Sequence, residues 1–178
     1  MIAYHDEEWG TPIHSPVDHF ERLALESFQA GLSWSTILHK RPAFRLAFRG
    51  FDPATVATFD DRDRVRLMAD IGIVRNRSKI DVTIVNARLF LDVVAEFGSF
   101  EDYLASIVPP PPRRLPVTAT GADVPITTPD SNALSADLRR RGFRFVGSTI
   151  IYAHMQSIGL VDDHLPSCFR YVGEVVTG

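Results

Sequence analysis

Apolar side chains recur with the spacing of an α-helix along most of this 178-residue sequence. The clearest example is the longest predicted helix, whose apolar positions are Ile80, Ile84, Ala87, Leu91 and Val94. Residues at alternating intervals of four and three share one face of a helix, whereas a half-buried strand needs strict alternation. No segment shows convincing alternation, so the sequence predicts an all-α fold.

Capping residues and glycines divide this pattern into separate helices. The predicted helices cover residues 16–30, 33–48, 53 onward, 60–71, 73–97, 100–107, 130–141 and 146–158, with Asp130 or Ser131 as the cap of the seventh. Pro42 is a candidate kink in the second. The prolines at 109–112 cannot continue a helix, and the Pro-, Thr- and Gly-rich chain up to residue 129 predicts a long surface connection packed against the body.

Length and composition predict one compact domain, or two lobes sharing a cleft, because 45% of 178 residues are hydrophobic. The longest stretch nearly free of charge, residues 23–38, is too short to span a membrane. The N-terminus is acidic, unlike a secretory leader. A single cysteine, Cys168, excludes an intrachain disulfide and indicates a reducing compartment. We therefore expect a soluble protein.

The net charge of -3 does not by itself suggest a nucleic-acid partner, but basic residues are clustered. The clusters are Arg62, Arg64 and Arg66, then Arg75, Arg77 and Lys79, and finally Arg139, Arg140, Arg141 and Arg144. Clustered arginine can form a phosphate-binding face on an acidic protein. Solvated helix faces are the alternative interpretation.

The segment ADIGIVRNRSKI, residues 69–80, places Gly72 in a turn between two predicted helices. Arg75, Arg77, Ser78 and Lys79 then lie at the start of the second helix. Unpaired N–H groups and the positive dipole end of a helix can bind a phosphate, and glycine allows a close approach. The segment therefore fits a helix-hairpin-helix contact with DNA, or else an ordinary interhelical turn.

Glu26, in LALESFQAGLSW, is the only charged side chain between Arg22 and His39. A carboxylate in apolar, aromatic surroundings can act as a specific hydrogen-bond acceptor or as an acid or base. Trp34 is close in sequence, and Tyr4 and Trp9 would add to the site if the N-terminal segment folds nearby. The alternative is a solvated helix glutamate.

In DDHLPSC, His164 and Cys168 stand four residues apart, a spacing that suits two ligands of one zinc ion. Because structural zinc takes four ligands, another is needed, and His5 is a candidate. The alternative, a catalytic cysteine with a histidine base, lacks any nearby sign of an oxyanion site.

Several of these segments, in this order, resemble the DNA-3-methyladenine glycosylase I family. The resemblance is carried by IAYHDEEWG, LESFQAGLSW, GIVRNRSKI, TPDSNALSADLRRRGFRFVGSTIIY and GLVDDHLPSC, which cover nearly the whole chain. It implies the all-helical fold of the helix-hairpin-helix glycosylase superfamily, with a base pocket between two lobes. Residues 35–110, approximately, would form the hairpin lobe of the single domain 1–178, and both ends of the chain the other.

The resemblance also implies roles for individual residues. Tyr4, Glu26 and Trp34 match the family's base-pocket residues, and Trp9 is a further candidate. The counterpart of Glu26 accepts hydrogen bonds from the modified adenine while the aromatic rings stack on it. A cationic alkylated purine is attracted to aromatic faces and to a buried carboxylate, whereas neutral adenine gains much less.

His5, His164 and Cys168 match three of the family's ligands of a structural zinc ion. The fourth is a cysteine upstream of the tyrosine-histidine pair, and no residue of this sequence matches it. Either the natural N-terminus extends upstream of Met1, or this member binds zinc weakly or not at all. The family also lacks the catalytic aspartate usual in the superfamily, and this sequence has no convincing candidate.

We therefore expect a base-excision repair enzyme that flips 3-methyladenine out of double-stranded DNA and hydrolyses its glycosidic bond. No lysine stands out as an imine-forming nucleophile, which predicts a monofunctional enzyme that leaves an abasic site. Gln29 to Leu32, QAGL, is a candidate wedge. We expect a monomer in the bacterial cytoplasm, at the nucleoid. The alternatives are a non-catalytic binder of alkylated DNA and a zinc hydrolase with Glu7 or Glu8 as base.

Overall fold

The computed structural model describes residues 1–110 and 112–173, and within these ranges the chain is mostly α-helical. The helices are α1 (Ile2–Glu7), α2 (Pro16–Gln29), α3 (Trp34–Ala47), α4 (Pro53–Ala57), α5 (Asp61–Ala69), α6 (Arg77–Phe97), α7 (Phe100–Ile107), α8 (Pro129–Arg140) and α9 (Ser148–Ser157). Short 3-10 helices cover Arg49–Phe51 and Gly121–Asp123. The predicted all-α class is confirmed.

Local capping explains why most predicted helix starts are close to the observed ones. The side chain of Ser33 accepts from the Thr36 amide at the start of α3, and Asp60 forms a capping box with Asp63 at the start of α5. At the end of α6, Gly98 has a φ of 91°, a conformation that glycine adopts without strain. The helix α3 continues through Pro42.

Three details differ from the sequence prediction. α8 is capped by Thr128, with Pro129 in its first turn, so a cap at Asp130 or Ser131 is wrong by two or three residues. The segment Ile2–Glu7 forms α1, a helix that was not predicted from the sequence. The connection after α7 contains β1 (Arg113–Arg114), which pairs in parallel with β2 (Val161–Asp162).

The helix α2 lies at the centre of the fold and packs against α3, α6 and α9. Every residue of this helix from His19 to Phe28 is buried, polar and apolar alike. Aromatic packing continues from Phe28 to Phe44 and Phe48, with ring centroids 4.7 Å and 5.8 Å from that of Phe28. The polar residues of α2 are therefore held inside the protein, where each needs a partner or a ligand.

The described C-terminal segment returns to the N-terminal one. The guanidinium of Arg170 donates to the carbonyls of His5 and Trp9 and to the hydroxyl of Thr11. As predicted, the long connection packs against the body, since Leu115 is 1% exposed. Within the described ranges, no helix is both long and apolar enough to cross a membrane.

Candidate functional site

A cavity of about 270 Å³ lies between α1, α2, α3 and α9. It is lined by Met1, Tyr4, His5, Trp9, Glu26, Gln29, Trp34, Ala153 and Gln156. All four residues predicted for the base pocket are among them. The volume is slightly below the range of about 300–1,000 Å³ of pockets for drug-sized ligands, so the cavity suits one small ring system.

Aromatic rings form two sides of this cavity. The ring centroids of Tyr4 and Trp34 are 5.4 Å apart, with their planes inclined by 54°. The hydroxyl of Tyr4 is buried and has no hydrogen-bond partner among the described residues. Burial raises the pKa of Tyr4, so this hydroxyl stays protonated and is available as a donor to a ligand.

Glu26 supplies the carboxylate of the cavity and is 4% exposed, so it is not a solvated helix glutamate. Burial raises the pKa of Glu26 to about 8, although the nearby positive charge of Arg22 opposes the shift. No hydrogen bond from another described residue stabilises the carboxylate. Glu26 therefore has free acceptor capacity in a largely apolar site, which favours a ligand with N–H donors and positive charge.

Ion pairs attach α1, and with it Tyr4, to the helices behind the cavity. The Oε2 atom of Glu8 accepts from Arg22 of α2 and from Arg41 of α3, both at 2.6 Å. Arg41 also donates to Glu21 at 2.6 Å, and Arg45 donates to both oxygens of the same carboxylate. Burial raises the pKa of Glu21, but the bonds from Arg45 and Arg41 outweigh this and hold it below its usual value.

The three predicted metal ligands converge beside the cavity. One ligand atom each of His5, His164 and Cys168 lies within 4.8 Å of the others. Trp9 packs against this cluster, with its ring centroid 4.7 Å from that of His164. Gly10 is needed at this point, because its φ is +73° and a Cβ there would lie 2.8 Å from Cε1 of His164.

The surroundings of the two histidines fit a metal such as zinc. The Nδ1 atom of His164 is 2.6 Å from Asp162, and that of His5 is 2.7 Å from Asp6. Carboxylates in this position orient the ring and leave Nε2 for the metal. The Nε2 atom of His164 is buried without a partner among the described residues. Two imidazoles and one thiol are typical ligands of zinc.

The turn between α5 and α6 forms a compact unit against α3. A Cβ on Gly72 would lie 2.8 Å from the Cβ of Ala43, so a side chain there would force the turn away from α3. Lys40 donates to the carbonyls of Ile71 and Gly72, and Asp70 accepts from the Gly72 amide. Gly72 is thus required for packing, beside any contact with a phosphate.

The basic residues after this turn divide into two groups. Arg75, Arg77 and Ser78 are exposed at the start of α6, and Arg77 also pairs with Asp81 at 3.4 Å. Lys79 is 7% exposed, and its ammonium donates to the carbonyls of Phe28 and Ala30 at the end of α2. These bonds satisfy carbonyls that a helix end leaves unpaired. The DNA contact predicted for Lys79 would have to replace them.

The predicted wedge, residues 29–32, forms the turn between α2 and α3. Gln29 lines the cavity, and its carbonyl accepts from the amide of Leu32. The side chain of Leu32 is 41% exposed, and Gly31 has a φ of +82°. The turn therefore presents an apolar side chain to solvent directly beside the cavity.

The sequence matches the methyladenine glycosylase family over residues 1–171. The chain belongs to this family. DNA-3-methyladenine glycosylase 1 of Escherichia coli (strain K12) is 45% identical over 172 residues, which cover 97% of this chain and 91% of the relative. A crystal structure of a 3-methyladenine DNA glycosylase I has a TM-score of 0.91 at 44% identity, covering 96% of this chain and 93% of that one. Another, a variant in complex with 3-methyladenine, has a TM-score of 0.89 at 36% identity, covering 94% and 89%.

In this methyladenine glycosylase, sequence reasoning missed Ala153 and Gln156, which α9 contributes to the cavity. They are three residues apart and so share a face of the helix. Gln156 donates to Asp163 at 2.8 Å, which links the cavity to the segment that carries His164. The sequence signal for a place at a cavity is that Ala153 is small, whereas its neighbours Tyr152 and His154 are bulky.

The other arginine clusters are largely held in ion pairs. Arg64 and Arg66 pair with aspartates of α5 and α6. Arg140 and Arg141 pair with Asp137, and Arg141 also pairs with Glu96. For these four arginines the observed partners favour the interpretation as charged helix faces over that as a phosphate-binding surface.

Proposed function

We propose that this methyladenine glycosylase excises 3-methyladenine from alkylated double-stranded DNA and acts in base-excision repair. The observation that carries the proposal is the cavity lined by the rings of Tyr4 and Trp34 and by Glu26, a buried carboxylate with no hydrogen-bond partner among the described residues. A relative of similar fold has been solved with 3-methyladenine bound.

The chemistry of the substrate explains why these residues suffice. Alkylation at N3 leaves the adenine positively charged, so it is already a good leaving group. In the flipped-out state the base would lie against Trp34 and Tyr4, with Glu26 accepting hydrogen bonds from its edge. Stabilising the departing base in this position lowers the barrier to cleavage, and water then attacks C1′ of the sugar.

We propose hydrolysis without strand cleavage because no lysine is among the described residues that line the cavity. An imine-forming enzyme needs an amine at the reacting carbon. Both lysines of the sequence are bonded elsewhere: the ammonium of Lys40 donates to two carbonyls of the turn after α5, and that of Lys79 donates to two carbonyls at the end of α2. The product would be an abasic site and a free base.

The proposed DNA contacts lie on either side of the cavity. Leu32 would enter the gap left by the flipped base, and Arg75, Arg77 and Ser78 would bind phosphates at the start of α6, in the manner of a helix-hairpin-helix motif. Such contacts hold the duplex without reading its sequence. A monomer of two lobes, with residues 35–110 as the hairpin lobe, is proposed to act in this way at the bacterial nucleoid.

We also propose a zinc ion held by His5, His164 and Cys168, since their side chains converge and both histidines have a carboxylate on the other ring nitrogen. Bound there, the ion would join the two ends of the chain and so hold α1, which carries Tyr4, at the cavity. Its role would be structural. Glu7 is exposed, and the carboxylate of Glu8 is bonded to two arginines, so neither is placed as the base of a zinc hydrolase.

The test is release of the free base from duplex DNA that contains 3-methyladenine, measured by chromatography with a blank for spontaneous loss. The proposed enzyme releases 3-methyladenine catalytically and leaves unbroken strands until alkali is added. Stoichiometric binding of the duplex without release would support the alternative of a non-catalytic binder on the same fold. Unchanged release after complete metal removal would dispose of the zinc hydrolase.

A further inference from the structure

Arg22 is a buried cation directly behind the cavity. It lies four residues before Glu26 on α2, so both side chains are on the same side of the helix. Its side chain is only 5% exposed. Burial of an arginine at this level costs stability unless its charge and its N–H groups are compensated. The groups that contact the guanidinium therefore indicate what Arg22 does.

The guanidinium has three different environments. Its Nη2 atom donates to Glu8 at 2.6 Å, which joins α2 to the end of α1. Its Cζ atom lies 5.0 Å from the ring centroid of Tyr4, the distance of a cation–π contact. Its Nη1 atom is buried without a hydrogen-bond partner among the described residues. Within the part of the chain that the structure describes, one of the three guanidinium nitrogens is thus buried without a partner, so the ion pair with Glu8 does not account for the whole side chain.

Charged and titratable groups surround Arg22 and Glu26 on several elements. They are Tyr4, His5, Glu7 and Glu8 from α1 and its C-terminal end, Asp18 and His19 from α2, Arg41 and Arg45 from α3 and His154 from α9. His154 is fully buried, and its pKa is lowered to about 3 by burial and by His19 and Arg22, so it is neutral. Among the described residues, Arg22 is the one charge that lowers the pKa of Glu26.

We propose that Arg22 is a positioning residue for base excision, holding the Tyr4 ring from behind and favouring the ionised form of the Glu26 carboxylate that the cationic base needs. This inference rests on the proposed function and deepens it at the same site. Arg22 is not among the residues that line the cavity, so it would not touch the base. It acts through two groups that do, because its contact with Tyr4 and its charge beside Glu26 lie on the protein side of the cavity.

The test compares the pH dependence of kcat/KM for release of 3-methyladenine in the parent, Arg22→Met and Arg22→Lys, with the spontaneous rate subtracted. Methionine keeps much of the bulk without the charge, and lysine restores the charge. In the Met variant, the inflection that reports Glu26 should move up by about 1–3 pH units, as expected for loss of a neighbouring opposite charge. In the Lys variant, it should return toward the parent value.

Arg45→Met is the matched control, because Arg45 belongs to the same ion-pair network through Glu21 but is half exposed and contacts neither Tyr4 nor Glu26. Its inflection should be unchanged. A uniform loss of activity across the pH range in Arg22→Met, with the inflection of the parent, would overturn the proposal and leave Arg22 a structural role. Absence of release in the parent would refute the proposed function instead.

Glu8→Gln keeps the proposal testable if Arg22→Met does not fold. This change removes the negative charge that offsets Arg22 while leaving the guanidinium in place. Because Glu8 no longer neutralises Arg22, the positive potential at Glu26 increases. The inflection should then move to lower pH, opposite to the shift in Arg22→Met. An inflection that moves upward or stays in place in Glu8→Gln would contradict the inference.

Discussion

The Sγ atom of Cys168 lies 3.5 Å from Nε2 of His5, although 163 residues separate them in the sequence. The contact brings the C-terminal segment against α1, beside the cavity. His5 follows Tyr4 on α1, so whatever holds His5 also fixes the ring of Tyr4. The cluster of His5, His164 and Cys168 and the cavity that Tyr4 lines are therefore connected through a single short helix.

The first prediction concerns zinc. The protein should retain stoichiometric zinc, and Cys168→Ser should lose most of it and unfold at lower temperature. Each kcal/mol of lost stability lowers Tm by about 2–4 °C in a chain of this size. Metal analysis and a thiolate–cobalt charge-transfer band after Co²⁺ substitution report the ligand directly. The control is His14→Ala, which changes an exposed histidine bonded to Glu101 and should leave the zinc content unchanged. Retention of zinc by Cys168→Ser would disprove the assignment of Cys168 as a zinc ligand.

The second prediction concerns Glu26. Its pKa is raised to about 8, and only the ionised carboxylate accepts hydrogen bonds from the base with full strength, so kcat/KM should increase as pH rises through about 8. Glu26→Gln should lose this inflection and about 10- to 100-fold in kcat/KM above pH 8, as for loss of a hydrogen bond to a charged group. Glu7→Gln, at an exposed carboxylate, should behave as the parent. Equal rates in Glu26→Gln and the parent would refute the pocket assignment.

A linked expectation concerns stability. A carboxyl group whose pKa is higher in the folded than in the unfolded state binds its proton more tightly when folded, so stability is lost as pH rises from about 4.5 to 8. Glu26→Gln removes this loss and should have a higher Tm than the parent at pH 8. A substitution that raises stability and lowers activity indicates a residue of the functional site, because replacing a purely structural residue would lower both.

The third prediction concerns the exposed start of α6. Arg75→Ala should weaken binding to any duplex, alkylated or not, and reduce the slope of log K against log salt by about 1. Binding of free 3-methyladenine, followed by the fluorescence of Trp9 and Trp34, should stay at the parent value. Binding to DNA is measured by fluorescence anisotropy. The control is Arg62→Ala, which changes an exposed arginine at the start of α5, the end away from the turn before α6. Equal salt slopes for Arg75→Ala and the parent would remove this residue from the DNA contact.

The sequence predicted most helices well because their limits depend on local groups. Ser33 and Asp60 cap the helices that follow them, and Gly98 ends α6, through bonds within a few residues. The position of Lys79 could not be predicted in this way. Its hydrogen bonds to Phe28 and Ala30 join residues about fifty positions apart, and its place in the sequence is equally compatible with a solvent-facing helix start.

The same distinction applies to the candidate site. The composition around Glu26 and the spacing of His164 and Cys168 indicated a pocket and a metal, since both signals lie within short segments. The partner of Arg22 could not be found, because Glu8 reaches it only after α1 folds back onto α2. Partners that depend on tertiary packing carry no periodicity that a sequence pattern can reveal.

The fourth prediction uses His154, which is fully buried and has no hydrogen-bond partner among the described residues. Burial, with the charges of His19 and Arg22, lowers its pKa from 6.5 to about 3. As pH falls below 6.5, the unfolded chain takes up this proton first, so stability falls between pH 6.5 and about 3, by up to about 1.4 kcal/mol per pH unit.

Replacing His154 by leucine removes that proton from the balance. The free energy of unfolding of His154→Leu, from urea titrations at several pH values, should therefore fall less steeply between pH 6.5 and 4.5 than that of the parent. The remaining slope includes His19, whose pKa burial also lowers. His39→Leu, at an exposed histidine, should keep the parent slope. An unchanged slope in His154→Leu would mean that this imidazole does not drive acid unfolding. The proposed zinc ligands, which are identical in all three proteins, would then be the groups to examine.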